Sequence, residues 1–596
     1  MTRHGAVTPP GPDRFHSGAG RALDIGDGTT GAGTTGAGTT GDSRSARPHR
    51  RALLLGGLGL GGAALAAAGL AACGGGGDSS PPAPTLRPAT PIPGVTDGAF
   101  GLGVASGDPL PDGVILWTRL APKPTEGGGM PARDIPVDWQ VATDEGFRSV
   151  VKAGTQTARA ALAHSVHVDV RGLEPGRDYY YRFRAGTVLS PVGRTRTAAA
   201  PGASPDAATG SLAFALVSCQ DFQDGYWPAY DAIAADLPDL VLHVGDYIYE
   251  SDPKGDLPGR QHTTPQTPGL GQLQTLADYR NRYGQYKADP ALQAAHRAAP
   301  WVVTWDDHEV ENNYANLVDE VGDTGARHQD PATFARQRAA AYQAYYEHMP
   351  IRVTLTPGSP DLQVYRRLAF GSLVTLNVMD TRQYRTPTPG NTANGIGAAA
   401  VGNANTGGTM AGAAQERWLR AGLDGSRTRW NLIAQQTMMA QLDGELPGGG
   451  GQPLTNLDQN DGYRPYRSRV LTGVRDSRAR NPVVLSGDLH CAWVNDLRID
   501  FDKPETPVVA TEFVSTSISS SFFLISDEFV RDNNARFNPH VRYFRGDRRG
   551  YTRFHVTPTE CRADQRIVAD VTRRDSPVTT DATWVVADGH PGAHPA

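Results

Sequence analysis

Cysteine is scarce in this chain. Cys73, Cys219, Cys491 and Cys561 are the four in 596 residues, and their spacing matches no zinc finger. An excess of basic charge is missing as well: 57 Lys and Arg stand against 62 Asp and Glu. That balance argues against a permanent nucleic-acid partner, whose phosphates would call for a basic face. A long, strongly apolar run is also lacking. The long uncharged stretch Ala52 to Ala72 is dominated by Ala and Gly. About 20 apolar residues can span a bilayer, but this run is only weakly hydrophobic. Glycine and proline are plentiful, at 70 and 45. Residues 1–49 are rich in Gly, Thr, Ser, Arg and Pro and repeat Gly-Thr-Thr-Gly-Ala at 28–41. Such a segment cannot bury enough apolar area to fold and is expected to be disordered. The remainder is long enough for two or three domains with substantial cores.

Four apolar runs each end in residues suited to metal binding. Leu212 to Ser218 leads into Cys219, Gln220 and Asp221. Val241 to Val244 leads into Gly245 and Asp246, with Tyr249 three residues on. Trp301 to Trp305 leads into Asp306, Asp307, His308 and Glu309. Pro482 to Ser486 leads into Gly487, Asp488, Leu489 and His490. Strand ends in open α/β sheets are where ligands collect. A carboxylate such as Asp246 can bridge two metals, and two metals about 3.5–4 Å apart can activate a water and shield an anionic transition state. Taken singly, each residue has a plainer reading. Tyr249 could be core packing, Cys219 a small buried hydrophobe, His308 a solvated turn residue, and Arg382 a partner for Asp380.

Together these stretches resemble the metallophosphoesterase superfamily, in the branch of the PhoD-like alkaline phosphatases and phosphodiesterases. The resemblance extends to Ser106-Gly107-Asp108-Pro109, Leu116 to Arg119, Asn312-Asn313 and Asp380 to Arg385, and covers roughly residues 96 to 565. The Gly-Asp-x-x-Tyr element is also similar to purple acid phosphatases. Cys219 in place of an aspartate, and Gly-Asp-Leu-His in place of Gly-His-x-His, agree with the PhoD-like branch. The resemblance implies hydrolysis of phosphate esters. It implies Fe³⁺ held by Cys219, Asp246, Tyr249 and His490. It implies Ca²⁺ on the carboxylate side, at Asp307 and Asp488 with Asp306 a further candidate, where an oxygen-rich set suits a hard ion. About one iron and one to two calcium ions are expected. His308 would protonate the leaving group or stabilise the transition state. Arg382 would contact phosphate in a bidentate manner, with Asn313 a weaker candidate for substrate or metal. Two other readings are phospholipase D-like cleavage of lipid headgroups and a non-catalytic surface-binding lipoprotein.

Arg50-Arg51 resembles a signal for export of folded proteins, and Leu70-Ala71-Ala72-Cys73 resembles a bacterial lipobox. Residues 50–73 are therefore expected to be a signal peptide with lipidation at Cys73, and 74–95 a flexible tether. This makes the expected product an exported, lipid-anchored or secreted envelope protein, a monomer whose partners are the twin-arginine machinery and the membrane. In such a compartment Cys491 and Cys561 could pair.

Short β-like runs punctuated by Gly and Pro predict a small fibronectin-like β-sandwich over 96–197. Strand and helix patterns then alternate over 211–565, predicting an α/β fold, a four-layer sandwich of two packed sheets with helices outside. Residues 566–596 read as a C-terminal tail. Residues 386–412 and 443–461, rich in Gly, Asn and Pro, read as long loops. His262, His296, His328 and His348 read as surface or structural.

Overall fold

The apolar runs pair into two large sheets. A computed structural model describes residues 86–202, 209–265, 272–319, 329–390, 395–445, 453–522 and 526–596. The arginine pair, the lipobox, Cys73 and His328 lie outside the described residues. One sheet has ten strands. From edge to edge they are His590–Pro595, Val578–Ala587, Glu560–Val568, Arg549–Val556, Leu212–Val217, Leu240–His243, Trp301–Val303, Val104–Leu110, Gly113–Arg119 and Ser165–Arg171. The second has seven: Arg366–Phe370, Val374–Val378, Trp430–Ala434, Pro482–Ser486, Ala510–Val514, Ala492–Leu497 and Val541–Arg545.

The central strands of each sheet are parallel and buried on both faces, which is why they read as unbroken apolar runs. Phe214, Leu216, Leu242 and Val302 of the first sheet meet Leu376, Leu432, Leu485 and Phe513 of the second in one core. Each such side chain contributes about 1.5–3 kcal/mol when fully buried. Helices Pro228–Asp236, Leu276–Lys287, Pro290–Ala298 and Pro331–His348 cover the outer face of the first sheet. Gly412–Asp424 and Arg464–Asp476 cover that of the second. The result is the four-layer α/β sandwich. Three helix starts are written locally. Thr275 and Asp278 form a capping box, and Asp289 and Asp330 cap helices that begin with proline.

Residues 86–199 form a β-sandwich with its own apolar core. One of its sheets is not separate, because Val104–Leu110 pairs in parallel with Trp301–Val303 at Gly107 and Trp301. The motifs Ser106 to Pro109 and Leu116 to Arg119 form this seam. Asp108 is paired with Arg366 at 2.6 Å, Trp117 Nε1 donates to the Glu347 carbonyl, and Arg119 meets His348 at 2.6 Å.

Several expectations need correction. Residues 566–596 are no tail: Val578–Ala587 and His590–Pro595 extend the ten-stranded sheet and add Trp584 and Val586 to its core. Alternation in these strands is too imperfect to stand out. The described end of the tether is pinned, since Arg87 binds Asp138 and Ile92 packs on the sandwich. The two long loops pair with each other through the short strands Ile396–Ala398 and Leu454–Asn456, and the helix Ala399–Ala404 lies within the first. Cys491 and Cys561 are free, buried in different cores. His262, His296 and His348 are buried, in keeping with the structural one of their two readings.

Candidate metal centre

The parallel strands of both sheets end on one side, and the loops that follow converge there. Cys219, Asp246, Asn313, Asp488 and His490 all adopt positive φ, between 53° and 66°. Left-handed backbone costs a non-glycine residue on the order of 1–3 kcal/mol and persists where surrounding contacts over-determine it. It lets the chain turn sharply off a strand and aim the side chain across the strand ends. Gly245 permits the closest approach, since a Cβ there would lie 2.4 Å from Asp306 Cβ.

Donor atoms of Cys219, Asp246 and His490 lie within 4.8 Å of one another, as do those of Asp246, Asp307 and His308, and those of Asp306, Asp307 and Asp488. Asp246 and Asp307 are each shared by two clusters. Tyr249 Oη lies 3.2 Å from Asp246 Oδ2 and 3.0 Å from His490 Nε2. The residues present fit metal ions. Asp246 Oδ1 is buried without a hydrogen-bond partner, a costly state for a carboxylate oxygen unless a cation faces it. The Ser521 carbonyl accepts from His490 Nδ1 at 2.9 Å, which turns Nε2 toward Tyr249 and the cluster as a donor atom.

Electrostatics agree. Burial, with Asp246 beside it, pushes the Cys219 thiol well above its usual range. Burial raises the Tyr249 phenol likewise, reinforced by Asp246 and Cys219. Burial and neighbouring carboxylates raise Asp246 despite His308, and raise Asp306 despite Arg382. Burial holds the His490 imidazole neutral, down to about 4. A centre crowded with acids that resist ionisation is one that a cation would discharge. Asp307 differs. Burial works to raise it, but Arg382, His308 and the Asn313 N–H outweigh that and bring it to about 2.

His308 stacks on the Tyr249 ring at 4.1 Å and is only partly exposed. Its Nδ1 lies 2.7 Å from Glu250 Oε2. Burial opposes its protonation, but Glu250, Asp307 and Asp246 together raise it well above the ordinary histidine value. Arg382 lies among the carboxylates of the site. Its guanidinium is fully buried and held by Asp306, Asp458 and Asp488, with Asp307 at 3.3 Å. Two of these carboxylates, Asp307 and Asp488, line the pocket, and the Arg382 backbone N–H donates to Asp380. Asn313 lines the pocket above the site, and its N–H donates to Asp307 Oδ2 at 2.7 Å.

Glu250, Asp458 and Gln459 escaped the sequence reading, and Glu309, read only as part of the Asp306 to Glu309 stretch, was given no role. Glu250 holds His308. The Glu309 carboxylate accepts the N–H groups of Asp246, Tyr247 and Asp306, tying two ligand loops together. Asp458 pairs with Arg382 and Arg385, and Gln459 donates to Asp488. Glu250 and Glu309 adjoin residues that stood out, so proximity was the available signal. Asp458 and Gln459 lie in an apparent loop and gave none.

The model of the PhoD-like phosphatase family matches residues 214–565, and that of its N-terminal domain matches 88–199. Alkaline phosphatase D of Bacillus subtilis strain 168 is 46% identical over 486 residues, which is 82% of this chain and 80% of that protein. A solved structure of PhoD superposes with a TM-score of 0.76 at 43% identity, covering 85% of this chain and 93% of that one.

Proposed function

The chain belongs to the PhoD-like phosphatase family and is a phosphoesterase, and from that premise we propose that it hydrolyses phosphodiesters and phosphomonoesters with a metal-activated water, outside the cytoplasm. The observation that carries the reading is the run of three donor clusters sharing Asp246 and Asp307. The thiol, phenol, imidazole and carboxylate of Cys219, Tyr249, His490 and Asp246 suit Fe³⁺, and the all-carboxylate set Asp306, Asp307 and Asp488 suits Ca²⁺. Bound there, the ions supply positive charge and an activated water. The protein's own groups do the rest. Glu250 accepts the His308 Nδ1 proton and so turns the Nε2–H toward the pocket, where it can protonate the departing alcohol. Arg382 binds Asp306, Asp307 and Asp488 through one guanidinium and favours their charged forms.

Arg50-Arg51 and Leu70 to Cys73 support export of the folded protein and lipid anchoring at Cys73. The near balance of charge supports the absence of a permanent nucleic-acid partner, and a monomer is the working assembly. The test combines metal analysis with initial rates on a monoester and a diester. About one iron and one to two calcium ions per chain are expected, with activity lost reversibly on calcium chelation while iron stays. Full activity with zinc alone would overturn the metal assignment. Normal lipidation in Cys73→Ser would overturn the anchor.

A further inference from the structure

The strand Ala510–Val514 runs out into Ser515-Thr516-Ser517-Ile518-Ser519-Ser520-Ser521, which lies outside any helix or strand. All of these residues but Ser521 are buried. Buried hydroxyls need hydrogen-bond partners, so the partners of each one report what the loop braces. Three of the residues read as holding iron touch it. The Cys219 carbonyl accepts the N–H groups of Ser519 and Ser520 at 3.4 and 3.3 Å. The Ser521 carbonyl accepts from His490 Nδ1, and Ser520 Oγ lies 2.7 Å from Tyr249 Oη. Arg549 anchors the assembly: its Nη1 donates to the Ser520 carbonyl at 3.0 Å, to Ser517 Oγ at 3.1 Å and to the His490 carbonyl.

The Ser520 hydroxyl has one proton and two acceptors within reach, Tyr249 Oη and the Cys219 carbonyl at 2.9 Å. It accepts the Asp221 N–H at 3.0 Å. The Cys219 carbonyl has two backbone N–H groups already, so it does not depend on that proton. Tyr249 Oη is served differently. Its other neighbours are Asp246 Oδ2 and His490 Nε2. A carboxylate only accepts, and Nε2 carries a lone pair when Nδ1 donates to Ser521. Once the phenol has lost its proton, Ser520 is therefore the one donor aimed at its oxygen among the described residues. A buried anion without a donor is costly, and a hydrogen bond to the charged form favours that form.

Resting on the reading of Tyr249 as an iron ligand, we propose that Ser520 is a positioning residue of the metal centre, whose hydroxyl donates to the Tyr249 phenolate and sets how strongly that ligand donates to the ion. The hydrogen bond withdraws electron density from the phenolate oxygen. Without it the phenolate is the stronger electron donor, so charge transfer to ferric iron needs less energy.

The test compares visible spectra and iron retention against a competing chelator in the iron-loaded full chain and its variants. Ser520→Ala should move the charge-transfer band to longer wavelength and weaken iron binding by about 10- to 100-fold. Ser519→Ala is the control, because that buried hydroxyl donates to the Asp221 carbonyl at 2.7 Å in the same loop without touching the phenol. Its band should stay in place. Ser520→Cys, close in volume but a weaker donor, should shift the band the same way by less, and it serves if the alanine variant does not fold. Added to Tyr249→Phe, Ser520→Ala should weaken iron binding no further. A band unmoved in both Ser520 variants, or moved equally in Ser519→Ala, would overturn the proposal and leave Tyr249 as a ligand. Absence of the band from the iron-loaded parent protein would overturn both.

Discussion

At the scale of single residues, the centre depends on side chains that act through one another. His308 is held by Glu250 at 2.7 Å and by stacking on Tyr249. If its Nε2–H protonates the leaving alcohol, His308→Ala should slow an alkyl diester by about 10²–10⁴-fold. An aryl ester, whose phenoxide leaves readily, should slow less. Glu250→Ala should shift the same alkyl-to-aryl ratio in the same direction, losing about 10- to 100-fold on the alkyl ester with metal content unchanged. Equal slowing of both esters would make Glu250 a purely structural support. Tyr249→Phe keeps the ring against His308 while removing the hydroxyl between Asp246 and His490. The visible charge-transfer band expected of a phenolate on ferric iron should disappear or shift, without a change in near-ultraviolet circular dichroism. An unaltered spectrum would place Tyr249 off the metal.

At the scale of elements, the seam between the sandwich and the catalytic sheet rests on a glycine. A Cβ at Gly107 would lie 2.1 Å from the Pro350 carbonyl oxygen and 2.7 Å from that of Trp301. Both obstacles are backbone, so neither can swing aside. Gly107→Ala should destabilise the protein by about 1–3 kcal/mol or more, read as a lower denaturant midpoint in equilibrium unfolding. The two last strands make a similar claim. Ending the chain at Asp570 would strip Val578–Ala587 from Glu560–Val568 and remove Trp584 and Val586 from the core between the sheets. The truncated protein should be insoluble or protease-sensitive, because a long inner strand becomes an exposed edge. A soluble, fully active truncation would show those strands to be dispensable.

At the scale of the whole molecule, stability should depend on pH through buried neutral histidines. Burial holds His540 down to about 4 and His243 to about 3. Unfolded, each returns to about 6.5. Below that value the unfolded chain binds protons the native fold refuses. Stability contributed by these groups is therefore complete above about pH 6.5 and drains away as pH falls toward 4. For His540 the loss between pH 7 and pH 5 is about 2 kcal/mol. Unfolding of the metal-loaded protein should show this decline, and His540→Gln should show it reduced by about that amount. Parallel curves for the two proteins would remove His540 from the account.

The sequence by itself determined which donor residue types stand at the strand ends, and the layered α/β class. Buried parallel strands must be continuous apolar runs, and the residue types that follow them are fixed by the chemistry they perform, so Cys219, Asp246, Tyr249, Asp307, Asp488 and His490 were legible as a group. The helix starts at Asp289-Pro290 and Asp330-Pro331 are set locally, by a capping carboxylate followed by proline. Tertiary structure alone decided the rest. That Arg382 faces Asp306, Asp458 and Asp488 instead of solvent depends on strand ends far apart in the chain. That Glu250 and Glu309 turn back onto a histidine and onto backbone N–H groups depends on φ/ψ values that composition does not encode. The final strands join the sheet because an edge was open to them. Local propensity and pattern act over a few residues. Charge neutralisation in a buried site and closure of a sheet edge are satisfied only between residues that folding brings together.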